Sequence, residues 1–194
     1  MRARRSKKKN RIARNKVKGF IKSLRRKILK YDNEELYKPS EDVLQTDDLS
    51  FVDMMKKILS ACNEGVGMSA VQMGIHKNVI VIDPNSAGRY KIMINPEIVS
   101  TGAVEDSVSD EGVDAGKSVE IASEGCLSYP KFFTLVERQS HVKVKYLDEK
   151  FKEHTSYFSG FDARVVQHEM DHLLGICKIG EAWKIKQEKR KKLL

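Results

Sequence analysis

Two histidines four residues apart, in His168-Glu169-Met170-Asp171-His172, are the strongest chemical signal in the sequence. On an α-helix this spacing puts both imidazoles on one face, able to hold one metal ion. Glu169 sits beside them, where a carboxylate can take a proton from metal-activated water. The plainer alternative is a pair of surface histidines in a charged patch. A catalytic metal needs a third protein ligand and an open position. His76, His141, His154, the cysteines and many acids are formal candidates, and spacing does not choose among them. Cys126 stands out because Glu124-Gly125 before it and Ser128 after it suggest a tight polar turn. Cys62 ends an amphipathic segment and Cys177 follows Leu173-Leu174-Gly175-Ile176, so both read as buried or incidental thiols. As a nucleophile paired with a histidine, Cys126 would leave Glu169 and the histidine pair without a common purpose. A Cys126, His168, His172 centre uses all of them.

The run Gly65-Val66-Gly67-Met68 lacks both the ending of a P-loop and the spacing of a dinucleotide fingerprint, and reads as a place where backbone approaches a ligand or metal turn closely. Gln72, just beyond, offers an amide donor to an oxyanion or serves as a structural glutamine.

Elements must carry these residues. Ser50 and Asp53 form a candidate capping box before a helix over about 51–62, with Phe51, Met54, Met55, Ile58 and Leu59 on one face. Asn78 to Ile82 reads as a strand ended by Asp83-Pro84-Asn85, and Ile92 to Ile94 as another stopped by Asn95-Pro96. Val119 to Ala122 is a short strand leading into 124–130. Val142, Val144 and Tyr146 alternate with polar neighbours, Asp148-Glu149 supplies a turn, and Thr155 to Phe158 returns. Ala163 to Leu174 is helical, with Gly175 placed to end it. Short strands followed by a helix predict a mixed α+β domain.

With 194 residues, one domain with extensions is expected. The 40% hydrophobic content excludes a wholly disordered chain or a fibre. Net charge is +9, unevenly spread: residues 1–27 hold 14 Lys or Arg and no acid, 178–194 hold 7 basic and 2 acidic residues, and 28–177 hold 15 basic against 25 acidic. The expected organisation is a basic arm over 1–27, a catalytic metallohydrolase domain over 28–177 and a basic tail or helix over 178–194. Such tails attract phosphate backbones or anionic surfaces, or simply aid solubility. Three widely spaced cysteines fit a reducing compartment, and no stretch is apolar enough to span a bilayer. A cytoplasmic protein is expected; Phe20, Ile21, Leu24 and Ile28 on one face of a basic segment leave an organellar presequence as the alternative.

Three segments, Gly65 to Gln72, Glu124-Gly125-Cys126-Leu127-Ser128 and Gln167 to His172, resemble the three signature motifs of the peptide deformylase family, in the family order, with Ser69 and Val71 as mild variants. The resemblance spans roughly residues 28–176. It implies short antiparallel sheets around a central metal-binding helix, and hydrolysis of the formyl group from formylmethionyl nascent peptides. Carried over by position, Cys126, His168 and His172 are the metal ligands and Glu169 is the base. The Leu127 N–H and Gln72 stabilise the growing oxyanion. Arg138 pairs with Asp171 in the histidine helix, and Glu124 is a further candidate for orienting the ligand turn. The resemblance also implies one divalent metal per chain, usually Fe²⁺, with Zn²⁺, Ni²⁺ or Co²⁺ able to substitute, a methionine pocket walled by Gly65, Val66, Gly67 and Met68 with Val165 and Val166, and a monomer.

Two features depart from the pattern. The acidic stretch within 102–117 lengthens one connection. Cys177-Lys178 stands where apolar residues often continue, which argues against standard docking of the last helix. In some bacterial members a basic terminal helix binds the ribosome, a role that Lys184, Lys186, Lys189, Arg190, Lys191 and Lys192 would suit. The competing accounts are a related metallo-amidase acting on another N-acyl peptide, and an inactive ribosome-binding homologue.

Overall fold

The computed structural model describes residues 15–62, 65–83, 87–102 and 119–191. Residues 1–14 of the basic arm, Pro84-Asn85, nearly all of the acidic stretch 102–117, and Lys192 lie outside the described residues.

The described residues form four helices and seven strands in an α+β arrangement. Helix α1 covers 15–25, α2 Ser50–Ser60, α3 Gly160–Leu173 and α4 Lys178–Lys191. The strands are β1 (Gly67–Ser69), β2 (Val79–Ile82), β3 (Lys91–Thr101), β4 (Val119–Cys126), β5 (Tyr129–Gln139), β6 (His141–Leu147) and β7 (Glu153–Ser159). One antiparallel sheet has the order β1-β2-β3-β6-β7, and β4 pairs with β5 in a separate hairpin.

β2 explains the layering. Its sequence Val-Ile-Val-Ile is buried throughout. Alternation sends Val79 and Val81 into a cluster with Val52, Met55 and Ile58 of α2, and Ile80 and Ile82 into a cluster with Ala163, Val165 and Val166 of α3. The sheet is thus covered on both faces, and α3 lies under the edge carrying β1.

Several expectations are corrected. Ser50 is the first residue of α2 rather than its cap; Leu49 takes the cap position without a side-chain bond, and the Ser50 amide is held by Asp48 Oδ1 at 2.8 Å. An aspartate two residues upstream offers the same acceptor through an Asx-turn. Asn95-Pro96 does not stop the third strand. β3 runs through it with a register break between Ile94 and Glu97, Asn95 adopts φ 49°, and its amide side chain exchanges hydrogen bonds with the Val43 backbone. A bulge tolerates proline because no ladder donor is needed there. α4 docks: Ile179 is fully buried, and Trp183, one turn on, meets Tyr31 and Phe132 at ring separations of 5.1 Å. At the other end, Leu24 of α1 is 4% exposed and joins Ile28 in the α2 cluster, so the packed body extends back past Ile28.

The end of α3 positions the following segment. Gly175 N–H donates to His172 O and Ile176 N–H to Asp171 O, the paired bonds of a Schellman motif, with Gly175 at φ 71°. A Cβ there would also lie 2.5 Å from Tyr37 O. Gly175→Ala is therefore expected to destabilise the fold by about 1–3 kcal/mol, measurable by urea unfolding. An unchanged midpoint would show that neither constraint operates.

Candidate metal centre

Three elements converge beneath β1. The β4–β5 hairpin turns at Leu127-Ser128, with a register break between Gly125 and Cys126. This irregularity re-aims the Cys126 side chain toward α3. There its sulfur lies 3.3 Å from His172 Nε2. Cys126, His168 and His172 each present one ligand atom, all within 4.8 Å of one another. A tetrahedral cation bound through one thiolate and two imidazoles needs ligand separations of roughly 3.5 Å, so the donor set and its spacing fit a divalent metal. The remaining histidines are engaged elsewhere: His76 with Glu35, His154 with Asp148 and His141 with Ser140.

Glu124 joins His168 to two arginines. Its Oε2 faces His168 Nδ1 at 2.9 Å and accepts from Arg138 Nη2 at 3.0 Å, while Oε1 accepts from Arg138 Nε at 2.9 Å and Arg164 Nη1 at 2.8 Å. With His168 Nδ1 occupied as a donor, Nε2 is left as the free ligand atom. Arg138 also reaches Asp171 Oδ2 at 2.5 Å, tying the hairpin to α3. Burial alone would raise the Glu124 carboxyl, but hydrogen bonds and charge from His168 and Arg138 prevail and hold it down to about 2.

Burial acts differently on the neighbours. It drives His172 down to about 3, so the ring is neutral and ready to ligate, with the charges of His168 and Arg138 acting in the same direction. It pushes the Glu169 carboxyl up to about 7; His168 opposes this, and the Glu124 charge adds to it. Glu169 Oε2 and His172 Nδ1 are buried without a hydrogen-bond partner. A carboxylate with one unclaimed oxygen beside a cavity is suited to receive and return a proton near neutral pH.

The glycine segment approaches as its composition suggested. A Cβ on Gly67 would lie 2.6 Å from Glu169 Oε1, so only glycine allows β1 this close to the carboxylate. Gly65, Val66 and Gly67 line a cavity of about 580 Å³ that also touches Cys126, Leu127, Val165, His168 and Glu169. Met68 and Val166, by contrast, are fully buried in the core. Gln72, in the turn Ala70–Met73, holds Ser69 N–H through Oε1 and directs Nε2 to Ser128 Oγ at 3.3 Å and Cys126 Sγ at 3.4 Å. The Leu127 carbonyl accepts from Lys30 Nζ at 3.0 Å. Arg164 and Lys30 escape a motif-based reading, and Ser128 falls within the cysteine motif without a partner assigned to it. For Arg164 the signal is its position four residues before His168, hence on the same helical face.

Glu124→Gln would set an NH₂ group against an array made only of donors and leave buried arginines short of an acceptor. Metal affinity is expected to fall roughly 10- to 100-fold in chelator competition. Unchanged affinity would detach Glu124 from ligand orientation.

The polypeptide deformylase family model matches residues 25–188. A peptide deformylase of Pseudothermotoga lettingae is 33% identical over 156 residues, covering 79% of this chain and 81% of that protein. One of Leptospira biflexa is 35% identical over 171 residues, covering 79% and 86%. Among solved structures, a peptide deformylase from Legionella pneumophila superposes with a TM-score of 0.69 at 28% identity, over 86% of this chain and 95% of that one. The peptide deformylase of Thermotoga maritima gives 0.63 at 30% identity, over 78% and 93%. A thiolate and two imidazoles gathered around a buried carboxylate thus coincide with a match along most of the sequence, and the chain belongs to the polypeptide deformylase family.

Proposed function

We propose that this chain is a metal-dependent deformylase that hydrolyses the N-terminal formyl group of formylmethionyl nascent peptides, releasing formate and a free amine. The observation that carries this reading is the buried Glu169 carboxylate, its Oε2 without a hydrogen-bond partner, beside the Cys126, His168, His172 group at the cavity. Those three residues hold the cation, which when bound supplies Lewis-acid polarisation and a water nucleophilic at neutral pH. Glu169 Oε2 takes the proton of the attacking water and later gives it to the departing amine nitrogen. The Leu127 N–H and the Gln72 amide stabilise negative charge growing on the formyl oxygen. Gly65, Val66 and Gly67 offer backbone to the extended peptide, and Val165 supplies an apolar wall for the methionine side chain. Fe²⁺ is the proposed physiological metal; one thiolate and two imidazoles accept Zn²⁺, Ni²⁺ or Co²⁺ as well.

We further propose that the enzyme works as a monomer in the cytoplasm, where formylated chains emerge, and that its basic segments contact ribosomal RNA. Lys189, Arg190 and Lys191 are exposed at the end of α4, whereas Lys184 and Lys186 lie over the Tyr37 and Phe132 rings at 4.4 and 5.2 Å. No helix among the described residues is long and apolar enough to cross a membrane.

Formate release from a formyl-Met tripeptide, with bound metal quantified in the same anaerobic sample, tests the chemistry. Glu169→Ala is expected to keep one metal per chain and lose at least about 10²-fold in kcat. Loss of metal together with activity would refute its role as base. Acetylated peptides should not be cleaved. Replacing Lys189, Arg190 and Lys191 by alanine should reduce co-sedimentation with ribosomes at physiological salt; equal binding removes the proposed contact.

A further inference from the structure

Leu127 and Ser128 form the tip of the β4–β5 hairpin, between the paired residues Cys126 and Tyr129. Two-residue hairpin tips favour turns with positive φ at one or both positions, because those match the twist of the flanking strands. Neither Leu127 nor Ser128 has a positive φ. The ladder below the tip is also broken. Its next pair is Gly125 with Phe133, so Pro130, Lys131 and Phe132 intervene on β5, with Lys131 at φ 63°. The strands therefore do not dictate how the peptide groups of this tip are oriented, and bonds from elsewhere must do so.

One short segment beyond α1 supplies such bonds to both residues assigned to the oxyanion. The Leu29 N–H donates to Gln72 O at 2.8 Å, and the next residue's ammonium, Lys30 Nζ, donates to Leu127 O at 3.0 Å. The segment is itself anchored, since the preceding Ile28 is 4% exposed and belongs to the α2 cluster. Lys30 is half-buried and lines the cavity together with Gly65, Cys126 and Leu127. A charged donor in that setting makes one of the stronger kinds of hydrogen bond. The Leu127 N–H lies along the backbone between two held points, the Cys126 side chain in the ligand group and the Leu127 carbonyl under Lys30. We propose that Lys30 is a positioning residue for the oxyanion site: by holding the Leu127 carbonyl it fixes the direction of the Leu127 N–H before substrate arrives. Donors aimed in advance at developing charge need no reorganisation at the moment of reaction. The proposal rests on the reading of Leu127 as a group that stabilises the formyl oxygen. It adds that the segment linking α1 to the catalytic body takes part in aiming that group.

The test compares full-length protein with Lys30→Met, which keeps an unbranched apolar stem without donors, and Lys30→Arg, which restores a charged donor. Each is brought to one metal per chain, and kcat and KM are measured separately by formate release from a formyl-Met tripeptide. A misplacement of about 1 Å can cost about 10²-fold in rate, so the methionine variant is expected to lose about 10- to 100-fold in kcat with KM unchanged. The arginine variant is expected to recover most of that loss. An unchanged kcat in the methionine variant, or a loss that arginine does not restore, would overturn the proposal. So would a raised KM at constant kcat, which would make Lys30 a substrate-binding group instead. Should the methionine variant fail to fold, Lys30→Ala compared with Lys30→Arg carries the same outcomes. Absence of formate from the unsubstituted, metal-loaded protein would refute the deformylase reading and the proposal with it, whereas turnover there with no effect of Lys30→Met refutes the proposal alone.

Discussion

A single buried carboxylate holds the centre together. Glu124 is 6% exposed and has four hydrogen-bonding partner atoms, drawn from two arginines and one imidazole. Withdrawing such a charge from water costs several kcal/mol, and the arrangement persists because each oxygen is doubly engaged and Arg138 passes the connection on to Asp171. A network with every acceptor in use contributes little net stability. What it enforces is geometry: the hairpin that carries Cys126 and the helix that carries both histidines have one relative placement in which all these bonds form.

Within that frame, one helix gives successive turns different electrostatic surroundings. His168 faces a carboxylate and is fixed through Nδ1, whereas His172, one turn later, is buried without a partner at Nδ1. Glu169, between them in sequence, points to the glycine strand, where no Cβ separates it from the backbone of Gly67. Burial thus keeps the His172 imidazole neutral and raises the Glu169 carboxyl through the same physical effect, and the sign of the outcome depends only on which protonation state carries charge.

The chemistry of this centre was more legible in the sequence than its support. A four-residue histidine spacing has only one helical consequence, and Gly175 announces the end of α3. β2 was also readable, since four consecutive apolar residues bounded by polar ones suit a strand covered on both faces. What could not be read depended on partners distant in the chain. Proline in β3 signals a stop locally, yet Val43 and Asn95 together hold a bulge that carries the strand onward. The basic composition of α4 conceals Ile179 and Trp183, whose i, i+4 spacing matters only once Tyr31 and Phe132 are beside them. Arg164 looks like an interruption of an apolar run until Glu124 arrives opposite it. Short-range rules cannot anticipate an acceptor 40 positions away.

The wide separation of the converging residues also sets the order of events in biosynthesis. Gln72 and Cys126 are 54 positions apart, and Cys126 and His172 a further 46. Closing such loops is an entropic cost met only when the long-range contacts form. During synthesis the sheet strands β1 to β3 and the hairpin emerge well before α3, so the growing chain displays a cysteine with no imidazole beside it. Metal capture is consequently a late event of maturation, and the centre is complete only once α3 has been made.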